Sequence, residues 1–201
     1  MNVIVFASRK GGSGKSTLAA HLAAQVHKAT KPCLLIDADP QGSLTLWHKL
    51  RGTNEPAIKT AVNSVSGIIA QAKRDGIEWV FIDTPPNLSA VVDDAIRNST
   101  MVIIPARPGV FDVNAVQETI QTCRSARKPY AVVINGAPAE RDGAESRIVT
   151  MNPAALRLLG DVAGEAIGFV LRGYGDGEQG MGGPEGGARE EARGGGRRWL
   201  C

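Results

Sequence analysis

Five short apolar runs divide the first two thirds of the chain, and none of them alternates apolar with polar residues. Each run has the length of a strand and is rich in β-branched residues. Unbroken apolar runs of this kind are typical of strands that are buried on both faces of a parallel sheet. The runs are residues 3–7, 33–36, 79–82, 101–104 and 131–134. A weaker run at residues 58–62 is a candidate for a sixth strand.

Stretches with helical periodicity lie between the apolar runs. In the first of them Leu18, Leu22 and Val26 recur every four residues, which places them on one face of a helix. The candidate helices are residues 16–27, 65–74, 88–97 and 112–127. Because strands and helices alternate, we expect a doubly wound α/β fold with a mostly parallel sheet and helices on both faces. Ligands of such folds bind at the carboxyl ends of the strands.

The composition changes near residue 173. Eleven of the 24 glycines lie from Gly173 onward, and few apolar residues accompany them. Such a segment buries too little apolar surface to offset the entropy that it would lose on ordering. We therefore expect one ordered domain over residues 1–172 and a disordered tail, rich in Gly, Arg and Glu, over residues 173–201. The abrupt change suggests a frameshift or a truncated, diverged gene product.

The overall composition narrows the class of protein. A length of 201 residues suits one α/β domain. No apolar run approaches the roughly 20 residues that cross a bilayer, and residues 2–7 are too few for the apolar region of a signal peptide. We therefore expect a cytoplasmic protein that does not bind a membrane. The net charge of +3 permits contact with nucleic acid but is too small to argue for it.

A glycine-rich segment follows the first apolar run and precedes the first candidate helix. It reads Lys10-Gly11-Gly12-Ser13-Gly14-Lys15-Ser16-Thr17. Because glycines lack Cβ atoms, backbone N–H groups can converge there on phosphate oxygens, and the helix N-terminus adds its partial positive charge. In this context the segment predicts a phosphate-binding loop, hereafter the P-loop. Lys15 would bind the β- and γ-phosphates, and the Ser16 hydroxyl would bind Mg²⁺.

The P-loop departs from the general pattern at its start. The first glycine of that pattern is replaced by Arg9, and a lysine, Lys10, precedes the double glycine. The arrangement Lys-Gly-Gly-x-Gly-Lys-[Ser/Thr] resembles the deviant Walker A signature of the ParA/MinD/nitrogenase-iron-protein superfamily. The resemblance implies that the nucleotide is ATP. It also implies that Lys10 crosses a dimer interface to touch the partner's nucleotide, so that ATP holds a homodimer together.

Aspartates end two further apolar runs. Asp37 and Asp39 follow the second run in the sequence DADPQG, and Asp83 follows the third in IDTPP. Carboxylates at strand ends beside a P-loop can order Mg²⁺-bound water and the attacking water. DxDPQG resembles the switch I motif of ParA proteins, which implies that Asp39 positions or activates the water while Asp37 lies in the outer shell of the metal. IDTPP resembles their Walker B segment, which implies that Asp83 holds Mg²⁺ through water.

Two later segments match this family less closely. Residues 104–112 resemble the stretch after the family's next strand. Val133-Ile134-Asn135 resembles the strand end whose asparagine reads the edge of adenine, a role that suits an amide because it offers a donor and an acceptor. The alternative is that Asn135 is an ordinary turn residue at a strand end. The resemblance covers roughly residues 1 to 150.

The resemblance implies slow, Mg²⁺-dependent ATP hydrolysis that acts as a timer. A dimer closed around two ATP molecules would bind non-specific DNA, and hydrolysis would release it. In short ParA-type proteins the cargo is a plasmid or a chromosome region, a centromere-binding ParB-like protein stimulates hydrolysis, and the protein associates with the nucleoid. Arg147, Arg157 and Arg172 are candidates for phosphate contacts, although an ordinary solvated charge is the better interpretation of each.

Three other functions stay open. A MinD-like protein or another cargo-positioning ATPase is the first, although no basic amphipathic C-terminal helix for a membrane is evident. An iron-protein relative would need two cysteines from each subunit for a cluster; Cys33, Cys123 and Cys201 form no CxxC pair, and we expect Cys33 and Cys123 to be buried apolar residues. The third is a nucleotide-binding scaffold whose altered C-terminal segment prevents dimerisation and DNA binding.

Overall fold

Strands and helices alternate along most of the chain. The computed structural model describes residues 1–28, 30–87, 89–107, 110–135 and 147–151. The strands in this part of the chain are β1 (Asn2–Phe6), β2 (Cys33–Asp37), β3 (Ala57–Thr60), β4 (Trp79–Asp83), β5 (Met101–Ala106), β6 (Tyr130–Ile134) and β7 (Arg147–Met151). The helices are α1 (Lys15–Val26), α2 (Ser43–Arg51), α3 (Ser66–Arg74), α4 (Ala90–Asn98) and α5 (Val110–Ser125).

The seven strands form one sheet in the order β3-β2-β4-β1-β5-β6-β7. The first six are parallel, and β7 pairs antiparallel with β6. The chain runs from β1 toward one edge of the sheet through β2 and β3, and after β4 it crosses β1 to reach β5 and β6. The order of the strands therefore reverses beside β1, and the crevice at such a reversal is where doubly wound folds bind ligands. The fold predicted from the sequence is confirmed.

Successive residues of the inner strands enter two separate cores, one on each face of the sheet. Val5, Ile36 and Ile82 pack with helices α3, α4 and α5 on one face. Phe6 and Phe81 pack with α1 and α2 on the other. Because both faces of the sheet are covered by helices, polar residues have no place in the inner strands, and this explains their unbroken apolar runs.

Two elements differ from the pattern expected from the sequence. Helix α2 was not expected, since its apolar residues do not form one stripe: Leu44 is buried, whereas Leu46 and Leu50 are 57% and 78% exposed. Strand β7 was also not expected. The weak sixth strand is confirmed as β3, which is largely exposed because it lies at the edge of the sheet.

Burial of the first two cysteines is confirmed. Cys33 and Cys123 are 1% and 0% exposed, and burial raises the pKa of each thiol to about 12. Each therefore stays protonated at neutral pH and acts as a small apolar residue. The described residues do not include Arg157, Arg172, Cys201 or the expected tail at residues 173–201. Among the described helices, none combines the length and the apolar character that a membrane span requires.

Candidate nucleotide-binding site

Three of the motifs meet at the carboxyl edge of the sheet. The P-loop connects the end of β1 to the start of α1. Asp83, which ends β4, is in register with Phe6 of β1 on one side and with Asp37 of β2 on the other. A hydrogen bond of 2.7 Å from the Thr84 hydroxyl to the Phe6 carbonyl ties the end of β4 to the strand that carries the P-loop. Residues separated by about 80 positions in the chain thus form one site.

The P-loop has the backbone that a phosphate cradle needs. Gly12 and Gly14 have φ angles of +68° and +100°, a region that residues with a Cβ atom rarely adopt. Gly14 is the N-cap of α1, and its carbonyl accepts the first hydrogen bond of the helix from Leu18 at 2.9 Å. The free N–H groups of the first helical turn therefore point into the loop, where an anion can accept them.

Lys15 is buried beneath the loop, with only 6% of its surface exposed. Its ammonium group donates to the Lys10 carbonyl at 3.1 Å and so bridges the two ends of the P-loop. Burial lowers the pKa of Lys15, and the carboxylates of Asp83 and Asp39 oppose that effect. The arrangement holds a positive charge where a phosphate group would sit. Lys10 itself is exposed.

Asp83 is completely buried, and neither of its carboxylate oxygens has a hydrogen-bond partner among the residues that the structure describes. Burial raises the pKa of Asp83 to about 7; the Ser16 hydroxyl and Lys15 lower it, whereas Asp37 and Asp39 raise it further. The Ser16 hydroxyl therefore lies near the Asp83 carboxylate, but the two groups do not have the geometry of a normal hydrogen bond. A buried, unsatisfied carboxylate is unfavourable unless something neutralises it.

A divalent cation fits this environment. Asp83 supplies unpaired oxygens, Ser16 supplies a hydroxyl beside it, and Asp37 and Asp39 add negative charge. Mg²⁺ prefers a few protein oxygens and completes its shell with water and substrate phosphates. The finding that no three His, Cys, Asp or Glu side chains converge as a metal cage within the described part of the chain is compatible with such a site.

Asp37 is oriented by helix α2. Its Oδ2 atom accepts hydrogen bonds from the Thr45 backbone N–H at 2.8 Å and from the Thr45 hydroxyl at 2.7 Å. Its Oδ1 atom accepts one from the Asp39 N–H at 3.2 Å. Since Asp37 is 2% exposed, these bonds fix the direction of its carboxylate. The sequence did not single out Thr45, because its role depends on α2, which was not expected.

Asp39 begins a tight turn. Its Oδ1 atom accepts from the Gln41 N–H at 3.0 Å, and its carbonyl accepts from the Gly42 N–H at 2.9 Å. An open cavity of about 670 Å³ lies against this turn and is lined on its other sides by Val62, Pro85 and Ser89, among others. The half-buried Asp39 side chain therefore faces free space while its neighbours Asp37 and Asp83 are enclosed.

Two arginines link the P-loop to the β5–α5 side of the site. Arg9 forms an ion pair with Glu118 of α5. The Arg107 guanidinium lies against Gly12, so that a Cβ atom at Gly12 would stand 3.0 Å from Arg107 Nη2. The contacts of Glu118 and Arg107 could not be predicted from the sequence, because each joins residues that are about 100 positions apart along the chain.

Asn135 lies at the end of β6 and contacts the P-loop directly. Its side-chain Nδ2 donates to the Ser13 carbonyl at 3.0 Å. The Ser13 hydroxyl is buried and has no hydrogen-bond partner in the described ranges. The structure thus brings together all of the residues that were assigned to the site: Lys10, Gly11, Gly12, Ser13, Gly14, Lys15, Ser16, Thr17, Asp37, Asp39, Asp83 and Asn135. The prediction that Asn135 reads adenine stays a prediction.

A family model agrees with this site. The model of the CobQ/CobB/MinD/ParA nucleotide binding domain matches residues 4–162 of the chain, which include every residue of the site. The chain belongs to this family.

Several relatives within the family carry names related to partition. The chain is 34% identical over 123 residues to "Protein ParA" of Rhizobium radiobacter, a match that covers 60% of this chain and 55% of that protein. It is 33% identical over 120 residues to "Maintenance of carboxysome distribution protein A" of Gloeobacter kilaueensis, covering 59% and 55%. It is 29% identical over 157 residues to "Chromosome-partitioning ATPase Soj" of Thermus thermophilus, covering 62% of each. The chain thus spans little more than half the length of these relatives.

Solved structures of this family share the fold. The MinD cell division protein of Aquifex aeolicus superimposes with a TM-score of 0.59 at 23% identity, covering 69% of this chain and 70% of that one. A plasmid partition protein from Borrelia burgdorferi superimposes with a TM-score of 0.56 at 20% identity, covering 71% and 84%. At these identities the likeness shows the fold alone.

Proposed function

We propose that the chain is a ParA-type ATPase, in which ATP closes a homodimer that binds non-specific DNA and hydrolysis opens it again. The observation that supports this most strongly is the meeting of Lys15, Asp39 and Asp83 around one P-loop. The names of the relatives, which include ParA and Soj, favour plasmid or chromosome partition as the process. On this proposal the protein works in the cytoplasm, on the nucleoid.

In the proposed reaction each residue has a separate task. The P-loop N–H groups and the buried Lys15 ammonium bind the β- and γ-phosphates and stabilise the charge that develops on them. Ser16 and Asp83, with Asp37 behind them, would hold Mg²⁺, which supplies further neutralisation of the phosphates when it is bound. Asp39, whose carboxylate lies near enough to Lys15 to act on its pKa, would orient the attacking water. Lys10, exposed on the loop, reaches the partner's nucleotide across the dimer interface.

Hydrolysis then works as a release step. ATP shifts the population toward the DNA-binding dimer only by as much as it binds the dimer more tightly than the monomer. Cleavage of the γ-phosphate removes that difference, and a ParB-like partner protein would accelerate the cleavage. Arg147, Arg157 and Arg172 stay candidates for DNA phosphate contacts, and an ordinary solvated charge stays the better interpretation of each.

A second candidate is the positioning of a different cargo. This function is favoured because the chain is 33% identical to a relative that is named for the maintenance of carboxysome distribution. The nucleotide chemistry would be the same in both cases. Only the partner that stimulates hydrolysis and the cargo that it carries would differ.

DNA binding by the full-length protein tests the proposal. It would be measured with ATP–Mg²⁺, with ADP and without nucleotide, at several salt concentrations, for the wild type and for Asp39→Asn. We expect binding only with ATP, weakening as salt rises because phosphate contacts supply the affinity. Asp39→Asn should bind DNA equally well but stay bound longer, since it retains the Asp39 turn and loses hydrolysis.

Two results would contradict the proposal. One is DNA binding that does not depend on the nucleotide, and the other is no DNA binding in any state while ATP is still bound. Asp75→Asn, which changes an exposed aspartate at the end of α3, is the matched control and should behave as the wild type.

A further inference from the structure

We propose that Asn135 is a positioning residue of the P-loop, whose amide fixes the direction of the Ser13–Gly14 peptide and so aims the Gly14 N–H group at the phosphates. The proposal rests on the proposed nucleotide binding. It assigns Asn135 a task that does not depend on the base of the nucleotide.

The contact between Asn135 and the P-loop is anchored at both ends. Asn135 Nδ2 donates to the Ser13 carbonyl at 3.0 Å, although the two residues are 122 positions apart. The backbone N–H of Asn135 donates to the Ala106 carbonyl at 2.7 Å, which attaches the residue to the neighbouring strand β5. The asparagine is thus held by the sheet while its side chain reaches the loop.

Because a peptide group is planar, the hydrogen bond to the Ser13 carbonyl also determines the direction of the Gly14 N–H. The Ser13 carbonyl and the Gly14 N–H belong to one planar trans peptide, so they point in opposite directions. A bond that holds the carbonyl on the Asn135 side therefore turns the Gly14 N–H to the other side. Gly14 is the N-cap of α1, and the N–H groups at a helix N-terminus are the donors that a bound anion accepts.

Gly14 shows how closely the amide packs against the loop. A Cβ atom at Gly14 would overlap Asn135 Nδ2, so any side chain at position 14 would displace the amide from the loop. Gly14 also has a φ of +100°, a conformation that favours glycine whatever space is free around it. The amide occupies the space that the missing Cβ leaves, and the conformation of the loop and the position of Asn135 depend on each other.

The first experiment measures the P-loop in the absence of nucleotide. Hydrogen–deuterium exchange of the peptide that contains residues 11–17 would be compared in full-length wild type, Asn135→Ala and Asn135→Asp. Both variants keep the backbone bond to Ala106, and both lose the donor to Ser13. We expect exchange of this peptide to accelerate about 3- to 10-fold in each, which corresponds to the loss of one hydrogen bond.

The second experiment measures affinity for ATP, GTP and inorganic tripolyphosphate with Mg²⁺. If Asn135 orients the loop, Asn135→Ala should weaken all three by a similar factor, about 3- to 10-fold. If it reads adenine, only ATP should be weakened. Asn98→Ala is the matched control, because the Asn98 amide also donates to a backbone carbonyl, that of Asp94 at 2.8 Å, but lies on α4 outside the site.

The outcomes separate this proposal from the one on which it rests. Unchanged exchange of the P-loop in both Asn135 variants would overturn the positioning role, as would a loss of affinity confined to ATP. Faster exchange in a protein whose wild type binds none of the three ligands would sustain the positioning role and overturn the proposed function instead. The control should leave P-loop exchange and all three affinities unchanged.

Discussion

At the scale of one residue, the buried carboxylate of Asp83 is electrostatically unfavourable in the absence of a ligand. It has no exposed surface and no hydrogen-bond partner in the described part of the chain, and Asp37 and Asp39 are both close enough to raise its pKa. Without a cation the charge of Asp83 is therefore unfavourable, and a bound cation would offset it. The sequence predicted Asp37, Asp39 and Asp83 because each ends or follows an apolar strand.

Substitution of Asp83 should alter how stability depends on pH. Burial raises the pKa of Asp83 to about 7 in the folded state, so between roughly pH 4 and 7 the folded protein keeps a proton that the unfolded chain has released. The stability of the metal-free wild type should fall as the pH rises through this range. Asp83→Asn lacks this effect and should be more stable than the wild type at pH 8, by up to about 4 kcal/mol.

Urea denaturation at pH 5 and pH 8 with a chelator present would measure this difference. Asp75→Asn, at an exposed position, serves as the control and should follow the wild type. Equal pH dependence in the wild type and in Asp83→Asn would show that Asp83 is not the buried titrating group.

Contacts between distant residues limited what the sequence could reveal about the site. Arg107 and Glu118 are ordinary polar residues in the sequence, and their roles appear only when folding brings them to Gly12 and Arg9. By contrast, the P-loop and the aspartates were evident because their chemistry requires a fixed spacing within one segment or a fixed place at a strand end. The hydrogen bond from Asn135 to Ser13 likewise had no local signal.

At the scale of the elements, helix α3 depends on a residue of helix α4. Val65 is the N-cap of α3 and has no capping side chain. Instead, Asp94 Oδ2 accepts hydrogen bonds from the Val65 N–H and the Ser64 hydroxyl, both at 2.7 Å, and from the Ser66 N–H at 3.3 Å. Asp94 therefore caps α3 from outside and links it to the helix that follows the Asp83 strand.

Removal of this cap should destabilise the protein. Burial raises the pKa of Asp94, but the hydrogen bonds from Ser64, Val65, Ser66 and Asn98 outweigh it, and the pKa lies below its ordinary value. Asp94 thus stabilises the fold above the pKa of an unfolded aspartate, and this contribution is lost as the pH falls through its folded pKa. We expect Asp94→Ala to lower the free energy of unfolding by about 1 kcal/mol at pH 7.

The difference should shrink toward pH 3, and urea denaturation at both pH values would measure it. Asp93→Ala, which changes the exposed neighbour on α4, should have a smaller effect. A cost for Asp94→Ala that is the same at both pH values would contradict a capping role for the carboxylate.

The way each helix and strand packs on the sheet explains which of them could be predicted from the sequence. Strands buried on both faces left unbroken apolar runs, and α1 left a clean stripe of Leu18, Leu22 and neighbours because one face lies on the sheet. Helix α2 left no such stripe, since Leu46 and Leu50 are exposed while Trp47 packs on the core and beneath Arg51. Strand β3 was only a weak candidate because an edge strand needs few apolar residues.

At the scale of the whole molecule, our proposal predicts that the exposed Lys10 is needed to form a dimer and not to bind nucleotide within one protomer. On our proposal Lys10 touches the nucleotide of the second protomer, whereas Lys15 holds the nucleotide of its own. Lys10→Ala should therefore bind ATP with nearly the affinity of the wild type but should remain a monomer. Light scattering after size-exclusion chromatography with a non-hydrolysable ATP analogue would measure the molar mass.

Lys73→Ala, at an exposed position on α3, is the control and should dimerise as the wild type does. If Lys10→Ala still doubles its molar mass with the analogue, the dimer does not depend on this lysine.

Calorimetric titration of ATP into the full-length protein, with Mg²⁺ and with a chelator, addresses the nucleotide site itself. Because Lys15 is buried at the P-loop and Asp83 is unpaired beside it, the wild type should bind one ATP per chain, more tightly with Mg²⁺. Lys15→Ala should reduce the affinity at least about tenfold, since it removes a charge-assisted contact to the phosphates. Equal binding by the wild type and Lys15→Ala, or no binding by the wild type, would mean that the P-loop and its aspartates do not form an ATP site.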